Sequence, residues 1–223
     1  MYSPLACPRA SYYVENNMYS EFKRIAGKAL NFVVLISFPL CLYFILFAKE
    51  GVLFLSGDAY TEAILPMQIL MPTLIFIGLT NIMGIQMLIP LGREKVVLYS
   101  EIAGAIVDLA INIILIPIMS SSGAAIGTLV AEGVVWMVQY QALKELVKES
   151  YLKIKYIPIF LGITLAGILS YFIKSLYLNS FLTLLLSAVI FFAVYLIVLT
   201  LAKESLINEI EYQILEKILK KGE

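Results

Sequence analysis

Six long apolar runs constrain this chain more than any other feature of its sequence. A helix that crosses the hydrocarbon core of a bilayer needs about 20 predominantly apolar residues. Runs of that kind occupy residues 30–48, 63–91, 96–119, 123–143, 156–173 and 181–202. In lipid every backbone N–H and C=O must be satisfied internally, which leaves helices or a closed barrel. The runs are continuous, not alternating, and this selects helices over barrel strands. The predicted fold class is an all-α integral membrane protein with about six transmembrane helices. Composition agrees: 61% of the 223 residues are hydrophobic and 14% charged, against about 25% charged in a soluble domain. Pro66 and Pro72 predict a kink or a short entry segment in the first half of the second run. The third run is expected to end at Pro117 and a turn over residues 120–122. The apolar stretch 52–55 is too short to span and is expected at the interface.

Charge gives the direction. Sixteen Lys and Arg balance sixteen Asp and Glu, but the basic residues are not evenly placed. Six spans put the N-terminal arm, the loop between spans two and three, the loop between spans four and five, and the C-terminal tail on one side. Fourteen of the sixteen basic residues fall there, leaving only Lys49 and Lys174 opposite. The positive-inside rule then predicts a multi-pass protein with both termini cytoplasmic. Tyr99, Tyr140, Tyr151 and Tyr156 near the inner ends, and Tyr171 and Tyr177 near the outer end, fit an interfacial belt. The expected organisation is a polar cytoplasmic arm over 1–29, a four-helix bundle over 30–143 and a basic loop over 144–155. Two further transmembrane helices over 156–202 and a tail over 203–223 follow. In the tail, Leu206, Ile207, Ile210, Ile214 and Ile218 recur at helical spacing. This predicts an amphipathic helix on the inner membrane surface, or alternatively a partner-binding helix.

The same composition excludes several kinds of chemistry. With no basic excess there is no electrostatic basis for binding nucleic acid. With no histidine there is no Ser-His-Asp triad, imidazole base or histidine-based zinc site. Cys7 and Cys41 have neither metal-ligand nor disulfide-framework spacing. No cofactor is implied, and no enzyme activity is expected. The longest outer loop, about residues 49–62, is small for an extramembrane active site. No Gly-rich or paired-acid motif for a nucleotide sugar stands in a soluble segment.

The informative polar residues lie within the spans. Charged groups at bilayer depth are costly, so those retained usually face a cavity or a partner. No Lys or Arg falls within the six runs, but Glu101, Asp108 and Glu132 do. On the third span Glu101, Asp108 and Asn112 are seven and four residues apart, which places them on one helix face with Gly104 and Ala105 between. That stripe is expected to face the bundle interior. Gly123 and Gly127 open the fourth span at a spacing that permits close helix contact, and Glu132 follows near mid-depth. Asn81 and Gln86 on the second span, about 140° apart on a regular α-helix, are further polar-cavity candidates with Asn112. All three amides can equally serve as hydrogen-bonding glue between helices. Asp108, Glu132 and Glu101 are the candidates for exchanging a proton or binding a coupling cation.

Several segments resemble one family in register. Pro8-Arg9-Ala10-Ser11-Tyr12 looks like the "PR-x-S" segment of polysaccharide-biosynthesis membrane proteins. Phe54-Leu55-Ser56-Gly57-Asp58-Ala59-Tyr60 resembles their outer loop, and Leu88-Ile89-Pro90-Leu91-Gly92-Arg93-Glu94 their "L-x-P-x-G+" turn. Asn112-Ile113-Ile114-Leu115-Ile116-Pro117, then Gly123-Ala124-Ala125-Ile126-Gly127-Thr128 and Glu132, resembles their "N-x-x-L-I-P…G-A-A-x-x-T…E" stretch. These are the O-antigen-type flippases of the multidrug/oligosaccharidyl-lipid/polysaccharide exporter superfamily. The resemblance covers residues 8 to 143 and only the C-terminal portion of such a protein.

That resemblance implies a transporter in the cell (inner) membrane that flips polyprenyl-diphosphate-linked oligosaccharide by alternating access between two lobes. It implies a lipid-linked oligosaccharide substrate, contact with membrane lipids, and a missing N-terminal lobe or other polysaccharide-assembly proteins as partners. The chain is then a fragment, a truncated product or a half-sized unit that assembles. A diphosphate substrate calls for cations, which the six spans lack. Arg9, Lys23, Arg24 and Arg93 at the cytoplasmic mouth are the candidates to attract its headgroup, beside their ordinary role as positive-inside residues. The alternatives are a cation-coupled multidrug exporter of the same superfamily and a non-catalytic membrane assembly subunit.

Overall fold

The computed structural model describes residues 8–209. Among them there is no strand, and helices follow one another with few intervening residues. Helix α1 (Pro8–Glu15) precedes α2 (Tyr19–Leu46) and a short α3 (Ala48–Ser56). A 3-10 stretch (Asp58–Ala63) leads into α4 (Ile64–Leu70), then α5 (Thr73–Asn81), which continues as a π-helix over Ile82–Leu88. The long pair α6 (Glu94–Met119) and α7 (Ser121–Lys153) comes next. Helix α8 (Tyr156–Tyr171), a 3-10 turn (Phe172–Leu176) and α9 (Ser180–Leu201) complete the order. Five helical segments are long and apolar enough to cross a bilayer unbroken. Among the described residues a sixth candidate is the bent pair Asp58–Leu70 and Thr73–Leu88, which meet at 46° and count as one span if the two halves cross together. This is the all-α membrane architecture that the apolar runs predict.

The chain divides into two compact units between Lys153 and Ile154. In the first, α6 and α7 pack antiparallel, and α7 is also the element against which α2, α4 and α5 pack. Small residues set these approaches. A β-carbon on Gly78 would lie 2.7 Å from Val33 Cγ1, joining α5 to α2, and one on Gly104 would lie 2.6 Å from Val135 Cγ2. In the second unit α8 packs on α9, with Gly162 against the Tyr195 ring and Ala166, Ser170, Ser187 and Phe191 fully buried. Asn179 caps α9 by accepting the Leu182 N–H at 2.8 Å, a usual N-cap arrangement.

Helix boundaries differ from the sequence reading where polar residues sit on helices. The arm over 1–29 is not a separate polar segment: from Tyr19 it belongs to α2. The basic loop over 144–155 is largely helix, because α7 runs to Lys153. At 1.5 Å per residue its 33 residues extend about 50 Å, well beyond a hydrocarbon core of about 30 Å. Its last turns are held by apolar contact: Leu143 and Val147 are buried, and Ser150 meets Gly27 of α2. Charged residues at 144, 145, 148 and 149 are exposed, so only the outward face is polar. The loop reading took the density of charge as a break in structure, but an amphipathic helix has the same composition.

Prolines act locally. The bend in the second span falls at Met71–Pro72, as Pro72 predicts, where Leu74 and Ile75 N–H groups bond three residues back. Pro117 does not end α6, which continues to Met119. A proline in a last turn removes one hydrogen bond without stopping the chain from turning. The break is the single residue Ser120, at φ 51°, and α7 starts at once. The stretch 52–55 is part of α3, too short to span. Leu206 and Ile207 begin the tail's apolar stripe inside the described residues, whereas Ile210, Ile214 and Ile218 lie outside them, as does Cys7. Cys41 is a buried free thiol.

Candidate functional site

The antiparallel register of α6 and α7 brings Asp108 and Asn112 over Gly127. The same pairing sets Leu115 against Gly123, Gly104 against Ala131 and Val135, and Ser100 against Gln139. A β-carbon on Gly127 would lie 2.8 Å from Asp108 Oδ1 and collide with Asn112 Oδ1. The bare glycine therefore makes room for two oxygens that converge on one point. Both are buried, and neither has a hydrogen-bond donor. An unmet buried acceptor costs about 1–3 kcal/mol, and more when it is charged. Three changes meet the deficit: a proton on Asp108 donated to Asn112, a cation held between the oxygens, or a half-turn of the Asn112 amide that presents its NH2 group.

The predicted stripe is thus only partly assembled. Asp108 and Asn112 are half-buried and share one place, while Glu101, on the same face, is exposed. It stands seven residues before Asp108, nearer the start of α6. Glu132 of α7 is half-buried. The three acids form a line along the α6–α7 pair, not one cluster.

The remaining candidates divide further. Asn81, expected at a polar cavity, is exposed at the end of α5; Gln86 is half-buried. The 140° separation assumed regular α geometry, and the π-helix between them changes that phase. Arg24 makes an ion pair with Glu21 at 2.6 Å on the surface of α2, and Lys23 is half-buried beside it. Arg93 is exposed and donates from Nη1 to the Ala142 carbonyl at 3.0 Å, tying the turn before α6 to α7. These three cations stand at one end of the first unit. The side chain of Arg9 lies outside the described residues.

Two features of α7 escaped the sequence reading. Gln139, 1% exposed, donates from Nε2 to Ser100 Oγ at 3.0 Å, and its Oε1 is a buried acceptor without a donor. It lies seven residues after Glu132, so helical spacing could have placed it on the same face. An aromatic line runs beside it: Phe76 to Trp136 at 5.8 Å between ring centroids, Trp136 to Tyr140 at 5.5 Å, and Tyr140 to Tyr151 at 5.7 Å. The indole Nε1 of Trp136 is buried and lacks an acceptor. Each member of that line reads as core or belt in sequence, and only the packing of α5 on α7 aligns them.

No family model matches the chain, and no solved structure does. Among curated proteins, an uncharacterized membrane protein of Methanocaldococcus jannaschii is 29% identical over 194 residues. The match takes in 87% of this chain but 38% of that protein, so the chain spans less than half the length of the curated relative it matches. Apolar helices and a membrane-protein relative make the chain an integral membrane protein.

Proposed function

We propose that this chain is a portion of a membrane transporter that moves lipid-linked oligosaccharide across the inner membrane, with a proton or cation exchanged at Asp108. The carrying observation is the pair of buried, donorless oxygens of Asp108 and Asn112 over Gly127. A carboxylate kept at bilayer depth is a functional hypothesis by default, and one facing a second acceptor has a place for a positive charge. The substrate class rests on the ordered motif resemblance over residues 8–143. The cations Lys23, Arg24 and Arg93 offer a mouth for a diphosphate headgroup, on the side that the positive-inside rule makes cytoplasmic. Helix α6 exposes Ile106, Leu109, Ile113, Ile114 and Ile118, a wide apolar surface for lipid, a further lobe or assembly proteins. The 38% coverage of the relative supports the same reading.

The decisive experiment is complementation of a strain that lacks its O-antigen flippase. The expected result is that the protein, joined to the rest of its reading frame where one exists, restores surface polysaccharide, and that Asp108→Asn inserts normally but does not. Normal polysaccharide with Asp108→Asn would reduce the Asp108–Asn112 pair to interhelical glue. The acids of α6 and α7, with no Lys or Arg between residues 96 and 143, favour one alternative, a cation-coupled multidrug exporter of the same superfamily. Drug efflux without complementation would select it.

A further inference from the structure

The second span ends in an irregularity that transport chemistry does not use. Over Ile82–Leu88 the helix is π-wound, with Ile89 N–H bonding Gly84 O five residues back, before it closes at Gly92 (φ 69°), where Gly92 N–H bonds Ile89 O and Arg93 N–H bonds Leu88 O. A π-turn holds one residue more than the α-turn it replaces and recurs at functional sites. Reverting it to α shifts the residues on one side by one position relative to those on the other.

The surroundings of this turn suit such a shift. The Gln139 amide lies flat on Gly84, so that a β-carbon there would be 3.3 Å from Oε1 and 3.4 Å from Nε2. Its Nε2 is committed to Ser100 Oγ, which in turn donates to Val97 O at 2.7 Å. Its Oε1, buried against the π-turn, has no donor. The fully buried side chains on the turn are Met83, Met87 and Leu88. Two of these are methionines, the side chain that repacks most readily. A buried amide with one end anchored to α6 and the other unmet, resting on a glycine of an overfull turn, is poised between two arrangements.

We propose that Ile82–Leu88 is a hinge in the second span and that Gln139 is its latch, with Oε1 gaining in the alternate state the donor it lacks in this one. The hinge concerns the motion of the span and holds whatever the chain transports, so its failure and that of the transport reading are separate results.

The test is hydrogen–deuterium exchange by mass spectrometry on the protein in lipid nanodiscs. In the parent, amides 84–93 exchange faster than amides 104–115 of α6. Gln139→Leu keeps the packing and removes the unmet acceptor, which favours the described state. It is expected to slow exchange at 84–93 by about fivefold and to leave 104–115 unmoved. Gly84→Ala presses on the Gln139 amide and is expected to speed the same amides by a similar factor. Equal exchange in the two regions of the parent would overturn the hinge, as would variants that alter both regions alike. If Gln139→Leu does not insert, Gly84→Ala decides alone: local acceleration supports the hinge and general acceleration overturns it.

Discussion

Gly127 is the residue on which the candidate site depends. Its missing side chain is what admits Asp108 and Asn112 to the α6–α7 contact. Gly127→Ala is expected to destabilise the protein by about 1–3 kcal/mol, the usual cost of overpacking a close contact. Thermal unfolding in detergent reads this; an unchanged midpoint would mean that the two oxygens are free to move aside. Ser120 offers a prediction of opposite sign. It is exposed, carries φ 51° at the α6–α7 turn, and a side chain is costly in that region. Ser120→Gly is therefore expected to stabilise by about 0.5–1 kcal/mol, read as a raised unfolding midpoint. The acids themselves were legible as residues out of place in apolar runs. That Asp108 pairs with Asn112 while Glu101 stays exposed was not, since it depends on how far α6 is turned toward α7.

At the scale of elements, unbroken apolar length identified the spans, and charge misled about their ends. Lys148 lies in what reads as a loop but is five residues from the end of α7. Lys148→Pro is expected to cost about 3 kcal/mol, as proline does in a helix interior, where a loop would tolerate it; protease resistance of the 140–153 segment and the unfolding midpoint both report it. The α6–α7 pair makes its own prediction through Gly104, whose β-carbon position is 2.6 Å from Val135 Cγ2. Gly104→Leu is expected to destabilise by about 1–3 kcal/mol, and Val135→Ala in the same chain to recover part of that loss. Additive effects in that double-mutant cycle would show that the two residues do not meet. The bend at Pro72 was readable because proline breaks the backbone ladder whatever surrounds it. The π-turn at Ile82–Leu88 was not, because its residues are ordinary helix formers and only packing against Gln139 and its neighbours supports the extra residue.

For the whole molecule, the uneven placement of basic residues carries the orientation. Single cysteines introduced at Lys49 and Lys174 in a chain cleared of Cys7 and Cys41 are expected to react with an impermeant thiol reagent from outside, and one at Lys148 only after permeabilisation. Labelling of all three from one side would invert or break the predicted topology. The sequence by itself determined that this is a bundle of about six membrane helices, because unbroken apolar length admits no other solution in lipid. It determined also that the charges kept within the six apolar runs are acidic. Only the tertiary structure decided which acids meet a partner, how far α2 and α7 continue past the apolar runs, and where one span stores an extra residue. Those outcomes turn on rotation and register between helices. Both are set by where glycines let neighbouring helices approach, a property of pairs that no single run of sequence contains.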